Sequence, residues 1–388
     1  MRNYIFSMIL VLLLVGKFPM ITQAAEANAP KLAEGAKSAI LIEQNTGEIL
    51  FEKNAHEQLP PASITKVMTL LIAMEELEKG ALKLDEIVRV SERAASMGGS
   101  QVFLSPGEEI TVEDLIKSIA IASGNDASVA IAERISGTEE AFVERMNEKA
   151  KQLGLENTNF RNSSGLPASN HYSSAYDLAI ISQELLNYEL ITNYTSIYED
   201  YLRKGKDNEF WLVNTNKLVR FYDGVDGLKT GFTRESKYGL SATAKRDNLR
   251  VIAVVLGADT SKVRNAMISQ MLDYSFNHFD VHHIHDKDEV ITNMDLLKAN
   301  RENIEIVSEK PISILYKKGD TLDNIETEIT LHEDINVPIM RGEEVGKFIV
   351  KREGETLFES PLTIKEDVKK ASYFTLLKRT IKNMLKIN

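Results

Sequence analysis

Pro61-Ala62-Ser63-Ile64-Thr65-Lys66-Val67-Met68-Thr69 is the stretch on which the fold turns. Pro60-Pro61-Ala62 interrupts the chain before it, and a strongly helical segment starts at Ser63. A helix begun there carries Lys66 one turn on and on the same face, within reach of the Ser63 hydroxyl. The helix N-terminus adds backbone N–H groups and the positive end of the dipole, which favour a developing oxyanion. A lysine shielded from water beside another cation can give up its proton near neutral pH and act as a base. By itself the pattern is equally a serine cap followed by a surface lysine, so its weight depends on what lies further along the chain.

Two more groups stand in the right order. Ser123-Gly124-Asn125 breaks two helix-like stretches at 112–122 and 127–135, where its hydroxyl and amide can point into a cleft; the same residues also make an ordinary helix–turn–helix link. Lys229-Thr230-Gly231 follows Asp226-Gly227-Leu228 on a predicted strand, along which an extended peptide can lie. Alone, it is an edge strand with a solvated lysine. Together S-x-x-K, S-x-N and K-T-G, 60 and then 106 residues apart, form the signature of penicillin-binding proteins and class A β-lactamases, with Gly124 where that signature has Asp.

At these residues the chain resembles the low-molecular-mass penicillin-binding proteins, the D-alanyl-D-alanine carboxypeptidases. The likeness extends to Asn162-Ser-Ser-Gly-Leu-Pro167, Tyr172-Ser-Ser-Ala-Tyr-Asp-Leu178 and Asp226-Gly-Leu-Lys-Thr-Gly-Phe-Thr233, and covers residues 36–363. It implies an α+β fold: a β-lactamase/transpeptidase-like domain over residues 30–280, with a five-stranded antiparallel sheet and a helical lobe, then a small all-β domain over 281–363. It implies penicillin binding and removal of the last D-alanine from peptidoglycan stem peptides, with no cofactor and no metal. Ser63 would be the nucleophile and Lys66 its base, while Ser123 and Lys229 would pass a proton to the leaving group. Asn125 would hold the substrate amide, and the backbone N–H groups of Ser63 and Phe232, beside Gly231, would form the oxyanion hole. Thr230 and Arg264 would bind the terminal carboxylate. Some relatives have His where Phe232 stands, but only the backbone of that position enters this scheme.

Composition agrees with an exported enzyme. The 388 residues carry a net charge of −11, which argues against a nucleic-acid partner, and there is no cysteine to form a disulfide, a thiol nucleophile or a lipid attachment. Arg2, an apolar run over 5–15 and the small residues of Gln23-Ala-Ala-Glu-Ala-Asn-Ala29 form a secretory signal over residues 1–25, with cleavage open among Ala24, Ala25, Ala27 and Ala29. From about Val281, short alternating segments between Gly- and Asp-containing turns suggest the all-β domain without help from the resemblance. Residues 364–388 hold seven basic and two acidic residues, with Ile364, Val368, Ala371, Phe374, Leu377, Ile381, Met384 and Leu385 mostly three and four apart. A basic amphipathic helix of this kind lies in a membrane interface, which would place the enzyme peripherally on the outer face of the cytoplasmic membrane.

Two rival activities share the nucleophile. A D,D-endopeptidase would cut cross-linked peptides with the same groups. A class A β-lactamase needs a Glu after the second motif to activate the deacylating water; Glu184, with Asn187 after it, lies in a predicted helix and fits poorly. His282, His283 and His285 cluster near the domain junction and are read as ordinary surface residues.

Overall fold

The computed structural model describes residues 30–385; the leader expected at residues 1–25 lies outside them. Strands β1 (Ser38–Glu43), β2 (Ile49–Lys53), β3 (Val225–Thr233), β4 (Lys237–Arg246) and β5 (Leu249–Ala258) form one antiparallel sheet in the order β2-β1-β5-β4-β3. The two N-terminal strands therefore dock beside the last one, and β3, with Lys229-Thr230-Gly231, is left at an edge. Nearly every residue of β1 and β5 is buried, as strands covered on both faces must be.

Their alternating side chains serve two different layers. Ile40, Ile42, Ile252, Val254 and Leu256 join the core of the helical lobe. That lobe is built from α1 (Lys66–Glu78), α2 (Val112–Ala120), α3 (Asn125–Ser136), α4 (Glu139–Gln152) and α5 (Ala175–Leu185). The other face is covered by α6 (Ser261–His278), with Met267, Ile268, Met271 and Leu272 buried. Thr111, Thr138, Ser174 and Thr260 each accept a backbone N–H from the first turn of α2, α4, α5 and α6, the usual way an orphan donor at a helix start is satisfied.

Ser63 does not begin an α-helix. It sits in a single 3₁₀ turn, Ala62–Thr65, and α1 starts at Lys66. In a 3₁₀ turn the residues i and i+3 eclipse one another, which brings Ser63 and Lys66 closer into line than an α-helix does. The helix that follows is buried from Lys66 to Glu75, so it is a central strut of the lobe rather than an amphipathic surface helix.

The second domain is all β. Strands β6 (Phe279–His285) and β9 (Ile312–Lys317) pair with each other. A second sheet follows the order β7 (Val290–Met294), β8 (Ile304–Val307), β12 (Glu355–Ile364), β11 (Gly346–Arg352), β10 (Ile325–Leu331). The expected amphipathic helix over 364–388 is shorter than its periodicity suggests. Ile364 ends β12, and both it and Val368 are buried in the core of this domain; helix α7 begins at Tyr373 and runs to Leu385. A residue that turns inward from a strand end fits a three-to-four spacing as well as a helical one does.

Candidate active site

The S-x-x-K turn places Lys66 Nζ 3.1 Å from Ser63 Oγ. Lys66 is wholly buried, and its amine also reaches Asn125 Oδ1 at 2.7 Å and the carbonyl oxygen of Ser164 at 2.6 Å. Burial pushes the Lys66 amine well below the ordinary lysine range, and the Lys229 ammonium adds to this, while Asp126 opposes it. A neutral amine has two N–H groups and one lone pair. With the two carbonyls taking the hydrogens, the lone pair is left facing the Ser63 hydroxyl, the arrangement a general base requires.

Asn125 opens α3 and is fixed at both ends of its amide, since Nδ2 donates to Gly98 O at 2.7 Å. That nitrogen keeps a second hydrogen for a ligand. Ser123 precedes it, buried and with φ at +65°, a conformation a serine adopts only when its surroundings impose it. A Cβ on Gly124 would meet Asp126 Oδ1 at 2.9 Å. The Asp126 carboxylate folds back there to accept the N–H groups of Val102, Leu104 and Ala127, which is the local reason for glycine in the middle of this motif.

Strand β3 closes the site from the other side. A Cβ on Gly231 would lie 2.8 Å from Pro61 O and 3.0 Å from Ile64 Cγ1, so only glycine lets this edge strand reach the nucleophile turn. Lys229 is buried, and burial followed by the Arg264 charge brings it down to about 7. Arg264, on α6, is buried as well, is lowered to about 10 by that burial, and points Nη1 at Gly239 O, 3.4 Å away. Gly239 is the β4 partner of Gly231, which locates Arg264 behind the K-T-G strand. Thr230 Oγ1 donates to Thr215 Oγ1 at 2.8 Å. Phe232 is exposed, its ring 4.3 Å from that of Tyr238, its cross-strand partner. Lys229 and the Arg264 behind it are buried positive groups close enough for one to act on the other, and together they favour an anion such as a carboxylate at this edge of the sheet.

Residues 23–260 match the family described as D-alanyl-D-alanine carboxypeptidase, and residues 279–370 match that described as penicillin-binding protein 5, C-terminal domain. The chain is 54% identical over 351 residues to D-alanyl-D-alanine carboxypeptidase DacF of Bacillus subtilis, with 90% of each chain covered. The chain belongs to the D-alanyl-D-alanine carboxypeptidase family. A second member of the family, D-alanyl-D-alanine carboxypeptidase DacC of Escherichia coli, is 32% identical over 90% of this chain and 88% of its own. The crystal structure of penicillin binding protein 5 from Haemophilus influenzae aligns with a TM-score of 0.69 at 29% identity, covering 88% of this chain and 98% of that one.

Within this family site, several supporting groups carry no local sequence signal. Arg161 N–H donates to His171 Nδ1 at 2.9 Å, so Nε2 carries the hydrogen and donates to Thr65 Oγ1, also at 2.9 Å. Burial, then the Arg161 charge, lowers His171 to about 4 and keeps it neutral. Glu139 Oε1 accepts both the N–H and the hydroxyl of Ser163, whose carbonyl in turn takes Thr69 Oγ1 and Ser128 Oγ. Asn162 Oδ1 accepts the N–H groups of Ser164, Gly165 and Leu166; the Asn-x-x-Gly pattern was the readable hint of that turn. Glu184, the residue a β-lactamase reading would need, accepts from Asn187 Nδ2 and faces Lys310 of the β domain at 3.9 Å. His283 is 3.0 Å from Asp286 Oδ1, and no group of metal ligands forms among the described residues.

Proposed function

We propose that the chain is an exported serine D,D-carboxypeptidase that removes the terminal D-alanine from peptidoglycan stem pentapeptides through an ester on Ser63. The observation that carries this is the buried amine of Lys66, 3.1 Å from the Ser63 hydroxyl, with its two N–H groups matched to two carbonyls. Ser63 Oγ attacks the carbonyl between the two D-alanines, and Lys66 takes its proton. The N–H groups of Ser63 and Phe232 stabilise the oxyanion. The proton taken by Lys66 passes through the Ser123 hydroxyl, under the influence of the Lys229 charge, to the departing amine as the amide bond breaks. This leaves Lys66 neutral again. Lys229, Thr230 and Arg264 hold the terminal carboxylate. Asn125 orients the substrate amide, and Gly231 lets the peptide lie close to the strand. Water then attacks the ester, with Lys66 again as base, and releases the shortened peptide. A β-lactam supplies a strained amide in the same position and leaves an ester that is hydrolysed slowly.

The helix α7 supports a place at the membrane surface. Tyr373, Phe374, Leu377 and Ile381 are exposed on it, so its apolar face is not used to pack on the β domain. No helix among the described residues is long and apolar enough to cross a membrane, which leaves interfacial binding as the use for that face.

The test is release of D-alanine from a pentapeptide ending in D-Ala-D-Ala. Wild type releases it and Ser63→Ala does not. Release by Ser63→Ala, or a penicillin adduct on that variant, would refute the nucleophile. Folded wild type that spares the pentapeptide but cleaves cross-linked dimers would make it an endopeptidase.

A further inference from the structure

Between the second and third motifs the chain puts out a two-stranded hairpin, Glu199–Leu202 paired with Phe210–Val213. Its inner face is fixed, because Leu202 and Leu212 are buried and Phe210 packs on the core of the helical lobe. Side chains alternate across a strand, so the cross-strand partners Tyr201 and Trp211 stand together on the outer face. Trp211 is 55% exposed and Tyr201 45%. The core takes the alternate residues, and these two rings are left as an apolar patch on a rigid strand.

Both ends of the hairpin are tied to the catalytic cleft. Past Val213 the chain runs on to Thr215, whose N–H donates to Ile121 O at 3.1 Å and whose hydroxyl accepts from Thr230 at 2.8 Å. At the other end, Arg203 donates to the carbonyls of Val102 and Phe103 at 3.1 and 3.3 Å and pairs with Glu108 at 2.6 Å. The loop it grips also holds Asn125, through Gly98 O and Ser100 O. Phe103 brings a third ring there. It is 66% exposed, lies edge-on to Phe210 at 5.7 Å, and has φ at +56°, which a bulky residue keeps only where its surroundings impose it. The aromatic rim is therefore continuous with the loop behind Asn125 and with the strand that carries Thr230.

We propose that this rim binds the glycan of the cell wall, with N-acetylhexosamine rings stacked on Trp211 and Tyr201. The choice of ligand rests on the peptidoglycan reading of the cleft. A hexosamine ring presents C–H bonds on its faces and hydroxyl and acetamido groups at its edge. The electron-rich face of an aromatic ring attracts those C–H bonds and covers apolar carbon. Glu199 is exposed on the same side of the hairpin as Tyr201 and offers acceptors to the polar edge. Residues 199–213 hold four acidic and three basic side chains, so no positive charge draws an anionic lipid here. The rim adjoins Thr230, on the leaving-group side of the cleft. The strand it takes is thus a neighbour of the one whose stem peptide is cut, and the enzyme is held on assembled wall.

The test uses the processed chain and glycan strands stripped of their stem peptides by an amidase. Because Trp211 is the single tryptophan, its emission reads this site alone. Wild-type emission shifts to the blue as strands are added, and the protein sediments with insoluble ones. Trp211→Ala weakens that binding about tenfold, the scale of one lost aromatic contact; Trp211→Phe restores most of it, and Tyr201→Ala loses part. Trp211→Ala also releases D-alanine more slowly from intact wall, while release from a soluble pentapeptide is unchanged. Unshifted emission, or wild-type sedimentation by Trp211→Ala, overturns the glycan site. So does a shift produced by phosphatidylglycerol vesicles and not by glycan. Wild type that binds the strands but spares the pentapeptide overturns the carboxypeptidase reading instead and leaves the glycan site standing.

Discussion

The carbonyl oxygen of Ser164 lies 2.6 Å from Lys66 Nζ, across 98 residues of chain. It decides which way the lysine lone pair faces, and it is held there by Asn162, whose Oδ1 takes three successive backbone N–H groups and whose Nδ2 donates to Leu166 O at 2.8 Å. Asn162→Ala should therefore slow acylation by benzylpenicillin by about 10²-fold, the usual cost of letting a catalytic group drift by an ångström. It should also cost about 2 kcal/mol of stability through the unpaired N–H groups. Stopped-flow acylation and denaturant unfolding read the two effects separately; unaltered acylation would show that Ser164 O does not orient the base.

Gly165 has φ at +82°, and a Cβ there would sit 1.9 Å from Ala62 O and 2.9 Å from Ser63 N. The backbone of this loop is pressed against the nucleophile turn, and no side-chain rotation relieves that contact. Gly165→Ala should destabilise the protein by more than about 2 kcal/mol and displace Ser63. A melting curve and a fluorescent penicillin gel test both; a variant that melts and acylates like wild type would contradict the packing.

The two buried lysines predict a bell-shaped dependence of kcat/KM on pH. Lys66 must be neutral to accept the Ser63 proton, so the rate rises as pH rises through its lowered value. Lys229 must be charged to serve the leaving group and the carboxylate, so the rate falls as pH passes about 7. Lys229→Arg cannot lose its charge in this range. Its residual activity should lack the alkaline limb, whatever its size. A limb unmoved in that variant would assign it to another group.

Arg250 on β5 reaches across β4 to Asp226 on β3, with two 2.8 Å contacts, and donates to Thr243 Oγ1 at 3.0 Å on the way. It ties the edge strand to the centre of the sheet. In a double-mutant cycle of Asp226→Asn and Arg250→Gln, the coupling should be about 1 kcal/mol, since both groups retain some solvent. Additive losses would mean that the pair contributes nothing beyond its separate parts.

Much of this fold is legible in the sequence alone. Two apolar runs around Asn45-Thr46-Gly47 read as a hairpin and are β1 and β2, while the stretches 228–232, 239–244 and 251–256 read as strands and lie within β3, β4 and β5. Alternation and turn residues are local signals, and local signals survive folding. The errors arose where local pattern and long-range packing disagree. Ser63 reads as a helix start, yet Gly165 and Gly231 pack against its turn from both sides and the turn is 3₁₀. Ile364 and Val368 read as one face of a helix, yet they complete a β core.

By itself the sequence determined the kinds of group available: a hydroxyl and an amine three residues apart, a Ser-Gly-Asn link, a Lys-Thr-Gly strand, and a basic tail with an apolar periodicity. Those are chemical facts of short windows. Only the tertiary structure decided that Lys66, Lys229 and Arg264, from a central helix, an edge strand and a covering helix, would all be buried, with Lys229 near enough to act on Lys66 and Arg264 on Lys229. It alone also left Phe374 and Trp211 in the open. Protonation depends on how much solvent and which charges surround a group. That environment is assembled from segments up to two hundred residues apart, so no short stretch of the chain contains it.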